Sequence, residues 1–66
     1  MDNISQVIVK GTLKSGKAFS TSIKVPQGWR FAMHNDHDEL IDENGLVQEV
    51  FFWDDAKQPV VYDFVS

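Results

Sequence analysis

The sequence contains no cysteine, which excludes disulfide bridges and metal sites built on thiolates. It also has no continuous apolar run long enough to cross a membrane. The opening stretch MDNISQVIVKGTLKSG lacks the apolar segment of a signal peptide. We therefore expect a cytoplasmic protein that does not associate with membranes.

Sequence signals of catalysis are also scarce. The four glycines stand singly, so there is no glycine-rich phosphate-binding loop, and no serine lies in a G-x-S-x-G context. Carboxylates are abundant, but general acid–base catalysis requires a buried carboxyl group with a raised pKa, and these cluster where we expect solvent. We therefore expect that the protein is not an enzyme and needs no cofactor.

The chain of 66 residues is predicted to form one small domain over residues 1–66. Its apolar fraction of 42% and its eight aromatic residues favour a folded chain. A domain of this size buries only about 60% of the surface that its unfolded chain exposes. Such domains often gain stability from a metal, a partner or self-association.

Charge is divided unequally between the two halves of the chain. Residues 1–33 contain five cations and one acid, a net charge of +4, whereas residues 34–66 contain nine acids and one cation, a net charge of −8. This asymmetry indicates either pairing between the halves or a polarised surface.

Alternation of apolar and polar residues predicts strands along most of the chain. The runs VIVKGTL and KAFSTSIKV flank the sequence KSG, which suits a three-residue hairpin loop with Gly16 in a left-handed conformation. This loop would place Leu13 opposite Lys17 and Gly11 opposite Phe19. Both apolar sets then lie on one face of the hairpin.

The remaining segments complete a mainly β fold, with an α+β fold as the alternative. WRFAMH is a short third strand, and LVQEVFFW and PVVYDFV form two further strands if Phe52 pairs with Val60. Residues 35–44 are predicted to form one short acidic helix or loop, with Asn35 or Asp36 as its cap and Asn44-Gly45 at its end. We expect a small antiparallel sheet of four to five strands or a partly closed, SH3-like barrel.

Residues 34–43, HNDHDELIDE, contain two histidines three positions apart among five carboxylates. On a helix, His34 and His37 would share a face, and Asp38 would be a third candidate metal ligand. Structural zinc sites usually have four ligands of the His or Cys type, and this chain offers two. We therefore expect no native metal requirement, with His34, His37 and Asp38 as the candidate ligands if one exists.

The acidic half suggests a protein-binding function. Its acids could occupy a basic surface of a partner, such as a nucleic-acid-handling protein, and aromatic residues beside them could anchor the contact. This is the chemistry of a nucleic-acid mimic, acting as a small inhibitor or accessory factor of the kind carried by phages and mobile elements. The predicted partner-binding residues are Asp36, Asp38, Glu39, Asp42, Glu43, Phe51 and Trp53.

Two other functions remain open. A homo-oligomeric assembly subunit, such as a homodimer, could pair the basic hairpin with the acidic half of a neighbour. Direct nucleic-acid binding through the lysines of the basic N-terminal hairpin is the third hypothesis. It is weakened by a pI near 4.8 and by the absence of aromatic residues on the outer face of the hairpin, where the lysines lie.

Overall fold

The structure is a computed structural model that describes residues 4–66. Within this range the chain forms two antiparallel sheets of three strands, with orders β2-β1-β6 and β3-β4-β5. The strands are β1 (Gln6–Thr12), β2 (Ala18–Lys24), β3 (Arg30–Met33), β4 (Asp38–Ile41), β5 (Val47–Phe51) and β6 (Val61–Val65). The mainly β prediction is confirmed, but the sheets do not close into a barrel.

The first hairpin has the predicted register. The Leu13 N–H donates a 2.7 Å hydrogen bond to the Lys17 carbonyl, and Gly11 lies opposite Phe19. Gly16 has a φ of 95°, a conformation that glycine adopts without the steric cost of a Cβ atom. Turn chemistry and hydrophobic alternation therefore specify the same pairing.

The predicted helix in residues 35–44 is wrong, since residues 4–66 contain no helix and thus none long or apolar enough to cross a membrane. Residues 35–44 instead contain a tight turn at Asn35-Asp36, strand β4, and a second turn at 42–45. β4 is the central strand of its sheet and is paired on both sides. An isolated helix of about two turns would be marginal in water, whereas this position satisfies the backbone and buries Leu40.

The predicted pairing of Phe52 with Val60 is also wrong. β5 pairs with β4, and β6 crosses to the other sheet and pairs with β1. This arrangement places Tyr62 opposite Val9, a fully buried residue at the centre of the fold. Both C-terminal strands are apolar on two faces, so their alternation specifies the partner strand weakly.

The core lies between the two sheets. Strands of both sheets and the segments that connect them supply its buried residues, namely Val7, Val9, Ile23, Val25, Leu40, Ala56 and Val60. Several larger side chains are partly buried against them, including Phe19, Trp29, Phe31, Phe51, Trp53 and Tyr62. The molecule measures 37 × 21 × 15 Å. In so flat a shape the core is thin, and large apolar side chains remain exposed on the outer surfaces.

Candidate functional site

A histidine–carboxylate cluster, formed by His34, Asp36, His37 and Glu39, occupies the β3–β4 hairpin. The Nε2 atom of His34 lies 3.1 Å from Glu39 Oε1, and the Nε2 atom of His37 lies 3.0 Å from Glu39 Oε2. The two imidazole rings stack with their centroids 4.7 Å apart. Both contacts therefore converge on one carboxylate.

The hairpin geometry explains this convergence. The His34 N–H donates a 2.9 Å hydrogen bond to the His37 carbonyl, which closes the hairpin at Asn35-Asp36. Residues opposite each other in an antiparallel pair present their side chains on the same face. Glu39 follows His37 by two positions and therefore shares that face.

Charge stabilises the cluster. His37 Nδ1 lies 2.7 Å from Asp36 Oδ1, so a protonated His37 donates to Asp36 and to Glu39. These hydrogen bonds, the one to Asp36 foremost, raise the pKa of His37 above 6.5. The His37 ring in turn holds the pKa of Asp36 and the pKa of Glu39 below their ordinary values of 3.8 and 4.5.

Asp38 does not join the two histidines as a ligand, which corrects the predicted ligand set. The residue is 1% exposed, and its Oδ2 accepts hydrogen bonds of 2.7 Å from Trp53 Nε1 and from the Tyr62 hydroxyl. Strand alternation points Asp38 toward the core and Glu39 toward the outer face. A helical period cannot make that distinction, so the sequence-based interpretation grouped Asp38 with the two histidines, whereas the structure places Glu39 beside them.

A cleft of ≈ 580 Å³ lies beside the Asp38 contacts. Tyr62 is one of its wall residues, and burial together with Asp38 raises the pKa of the Tyr62 hydroxyl well above 10. Other wall residues are Lys14, His34, His37, Trp53, Asp54, Lys57 and Gln58. The sequence-based interpretation missed Tyr62 because its contact with Asp38 joins strands from different sheets.

The remaining predicted acids have different roles. Asp42 accepts hydrogen bonds of 2.8 Å and 2.9 Å from the backbone N–H groups of Asn44 and Leu46, and 2.8 Å from Gln48 Nε2. These donors hold the pKa of Asp42 below 3.8, so this carboxylate fixes the β4–β5 turn. Glu43 lies exposed in the same turn.

The predicted aromatic anchors Phe51 and Trp53 are half-buried and stack on each other with centroids 6.3 Å apart. Both pack against the core. Their neighbour Phe52 points the other way and is 59% exposed. Four exposed apolar residues lie in β5 or directly beside it and are here called the β5 apolar patch: Leu46, Val47, Val50 and Phe52.

Comparison of the chain with protein-family models, with curated proteins and with solved structures gave no match in any of the three. The chain's own geometry is therefore the basis for assigning a function. It offers a histidine–carboxylate cluster, a cleft beside the Asp38 contacts, and an apolar patch on an edge strand of the acidic half.

Proposed function

We propose that the protein is a non-enzymatic module that binds a partner protein through edge strand β5 and the acids around it. The observation that carries this proposal is the exposure of the β5 apolar patch. Leu46 and Phe52 are 61% and 59% exposed, and Val47 and Val50 lie between them on the strand. Several large apolar side chains exposed along one short segment are typical of a surface that another molecule covers.

The backbone of β5 adds a second attractive feature. β5 is the last strand of its sheet, so the side that faces away from β4 carries unpaired N–H and C=O groups. A partner strand can pair with such an edge, with backbone hydrogen bonds giving affinity and side-chain pockets giving specificity. The exposed residues Val47 to Val50 are available for this pairing.

Charge limits the kind of partner. Exposed acids occur in the turn before β5, within it and directly after it, namely Glu43, Glu49, Asp54 and Asp55. An apolar strip with an acidic border complements a partner surface that is apolar at its centre and basic at its rim. Proteins that handle nucleic acids have basic surfaces of this kind, and an acidic protein that occupies one acts as an inhibitor or accessory factor.

One observation favours a second candidate, self-assembly. The edge strand of the other sheet, β2, ends in the exposed Lys24 and is preceded by the exposed Lys17. A basic edge and an acidic edge on one molecule can pair between copies. Such a head-to-tail contact would build an oligomer without any other protein.

Affinity capture with two matched variants tests the proposal. The test variant carries Val47→Ser and Val50→Ser, and the control carries Val61→Ser and Val65→Ser on the edge strand β6. The replaced valines are similarly exposed, at 49% and 42% against 57% and 38%. Circular dichroism and thermal melts first establish that both variants are folded.

We expect a basic partner that is retained by wild type and by the β6 variant, is lost from the β5 variant, and elutes as salt screens the acidic border. Retention by the β5 variant with loss from the β6 variant would contradict the proposal. If purified wild type instead sediments as an oligomer that the β5 variant dissociates, self-assembly replaces partner binding. If the captured protein binds DNA or RNA, competition between that nucleic acid and this protein for the captured partner tests mimicry directly.

A further inference from the structure

We propose that the histidine–carboxylate cluster is a binding site for a divalent transition-metal ion, Zn²⁺ foremost. His34 Nε2, His37 Nε2 and the Glu39 carboxylate are the ligands, and Asp36 orients His37. The three ligands each offer one donor atom, and these donor atoms all lie within 4.8 Å of one another. The inference goes beyond the proposed function. The cluster adjoins the β5 apolar patch, because Glu39 lies opposite Val50 and the rings of His37 and Phe52 lie 5.7 Å apart, but the variants that test zinc binding change no residue of that patch.

The spacing of the donors fits a zinc ion. Ligand atoms about 2.0–2.1 Å from a tetrahedral Zn²⁺ lie about 3.3 Å from each other. The two histidine nitrogens lie 3.1 Å and 3.0 Å from the Glu39 oxygens. These contacts reach different carboxylate oxygens, Oε1 and Oε2, and the three donor atoms lie within 4.8 Å of one another, so side-chain rotation brings them to the spacing of zinc ligands.

Each contact requires a proton or a metal ion between its partners. A carboxylate is an acceptor, and an imidazole nitrogen that carries no proton is also an acceptor. Two imidazole nitrogens that both face Glu39 are therefore stabilised by a proton or a metal ion in each contact. A single ion can replace both protons, since His34 and His37 converge on the same carboxylate.

The contact of His37 with Asp36 is the arrangement that accompanies histidine ligands in metalloproteins. Asp36 Oδ1 lies 2.7 Å from Nδ1 of His37. A proton held on Nδ1 by Asp36 leaves the lone pair of Nε2 directed toward Glu39 and the ion. The same carboxylate adds a negative charge to that of Glu39, so the two acids together balance a divalent cation.

The types of ligand and the fixed backbone of Glu39 determine which metals fit the site. Two imidazoles with one carboxylate suit Zn²⁺ and its neighbours in the first transition series, whereas Ca²⁺ and Mg²⁺ prefer oxygen ligands throughout. Glu39 lies in the central strand β4 between Ala32 and Val50, which fixes its backbone. Three protein ligands leave a fourth position for water or for a group from another molecule.

Calorimetric titration of the tag-free, chelator-treated chain with zinc chloride is the first test. We expect one ion per chain, and at about 100 Kd of free zinc a rise in the melting temperature of roughly 10–20 °C that EDTA reverses. Magnesium chloride should give neither effect.

The His37→Gln variant should lose zinc binding, and Asp36→Asn should weaken it by about 10- to 100-fold. Glu43→Gln, which changes an exposed acid outside the cluster, should bind as wild type does.

A measurement on wild type alone separates a lost site from a misfolded variant. The chain has two histidines, so the side-chain ¹⁵N resonances in a zinc titration report on this cluster alone. We expect the Nε2 resonances of His34 and His37 to shift together and saturate at one equivalent. Absence of saturable binding would overturn the proposal, as would equal binding by His37→Gln and Glu43→Gln, or unmoved imidazole resonances during zinc binding.

Discussion

Trp53 Nε1 donates a hydrogen bond of 2.7 Å to Oδ2 of Asp38, across 15 positions of sequence. The Tyr62 hydroxyl donates to the same oxygen at 2.7 Å. The carboxylate thereby joins β4, the segment after β5, and β6 of the opposite sheet. Since Asp38 is 1% exposed, these two donors replace water that the charged group loses on folding.

The first prediction concerns this carboxylate. We expect Asp38→Asn to lower the free energy of unfolding by about 1–3 kcal/mol, because hydrogen bonds to a charged acceptor are stronger than those to a neutral amide. Urea denaturation followed by tryptophan fluorescence measures the change. The fluorescence comes from Trp29 and Trp53 together, and the indole of Trp53 should become less constrained in the folded variant.

Asp63→Asn is the matched control for Asp38→Asn. Asp63 lies 2.9 Å from Lys10 Nζ, but its side chain is 57% exposed. Exposed ion pairs contribute about 0–1 kcal/mol because water screens them. Equal destabilisation by the two substitutions would contradict the structural role assigned to the buried carboxylate.

The second prediction concerns the Tyr62 hydroxyl. Burial and the neighbouring Asp38 carboxylate raise its pKa well above 10. Tyr62 is the one tyrosine of the chain, so the near-ultraviolet absorbance of tyrosinate follows this group alone. We expect no ionisation near pH 10 while the protein is folded. The unfolded chain ionises at the ordinary pKa, so stability should decrease as the pH rises above 10.

A titration midpoint near the ordinary pKa in the folded protein would show that Tyr62 does not contact Asp38. The Asp38→Asn variant provides the internal comparison. Removing the charge should move the tyrosine midpoint back toward its ordinary value, although the part of the shift that comes from burial should remain.

The third prediction tests the first hairpin. Gly16 has a φ of 95°, and the space around a Cβ atom built there is empty. We expect Gly16→Ala to destabilise the protein by about 1 kcal/mol through backbone strain alone. Ser15→Ala in the same loop is the control, for which thermal melts should show little change. An unchanged melt for Gly16→Ala would argue against the left-handed loop.

Local sequence signals were sufficient to predict the first hairpin, β1–β2, but not to predict the strand pairing of the second sheet. The KSG loop and two clean alternations agree on one register. The residues that suggested a cap and an end for a helix, Asn35, Asp36 and Gly45, are equally typical of tight turns. Pairing of β4 with two distant strands decided between these structures, and no property of residues 35–44 encodes that pairing.

The histidine–carboxylate cluster was likewise predicted only where local sequence spacing was sufficient. The proximity of His34 and His37 followed from their spacing, although a hairpin rather than a helix produces it. The choice between Asp38 and Glu39 depended on knowing that the segment is a strand. The burial of Asp38 depended further on Trp53 and Tyr62, which reach it from other elements. The exposure of Phe52 in place of its neighbours likewise depended on which strand β5 pairs with.

The fourth prediction concerns the pH dependence of the histidine–carboxylate cluster, measured with EDTA present so that no metal contributes. The folded pKa of His37 is raised above 6.5, so its stabilising contribution is complete below that pH and is lost as the pH rises through the raised value. Asp36 and Glu39 have lowered folded pKa values. Their contribution to stability is present at a pH above their ordinary pKa values of 3.8 and 4.5. It is lost as the pH falls through their lowered pKa values.

The cluster therefore stabilises the fold most between pH 4.5 and pH 6.5, where all three groups are charged in the folded state. We expect the urea midpoint of wild type to decrease as the pH rises from 6.5 through the raised pKa of His37, and that of His37→Gln to decrease less. All other titrating groups are common to the two proteins, so the difference between their slopes isolates His37. Parallel pH profiles would show that the imidazole forms no charged contacts with Asp36 and Glu39, and would also weaken the case for a zinc ion at this position.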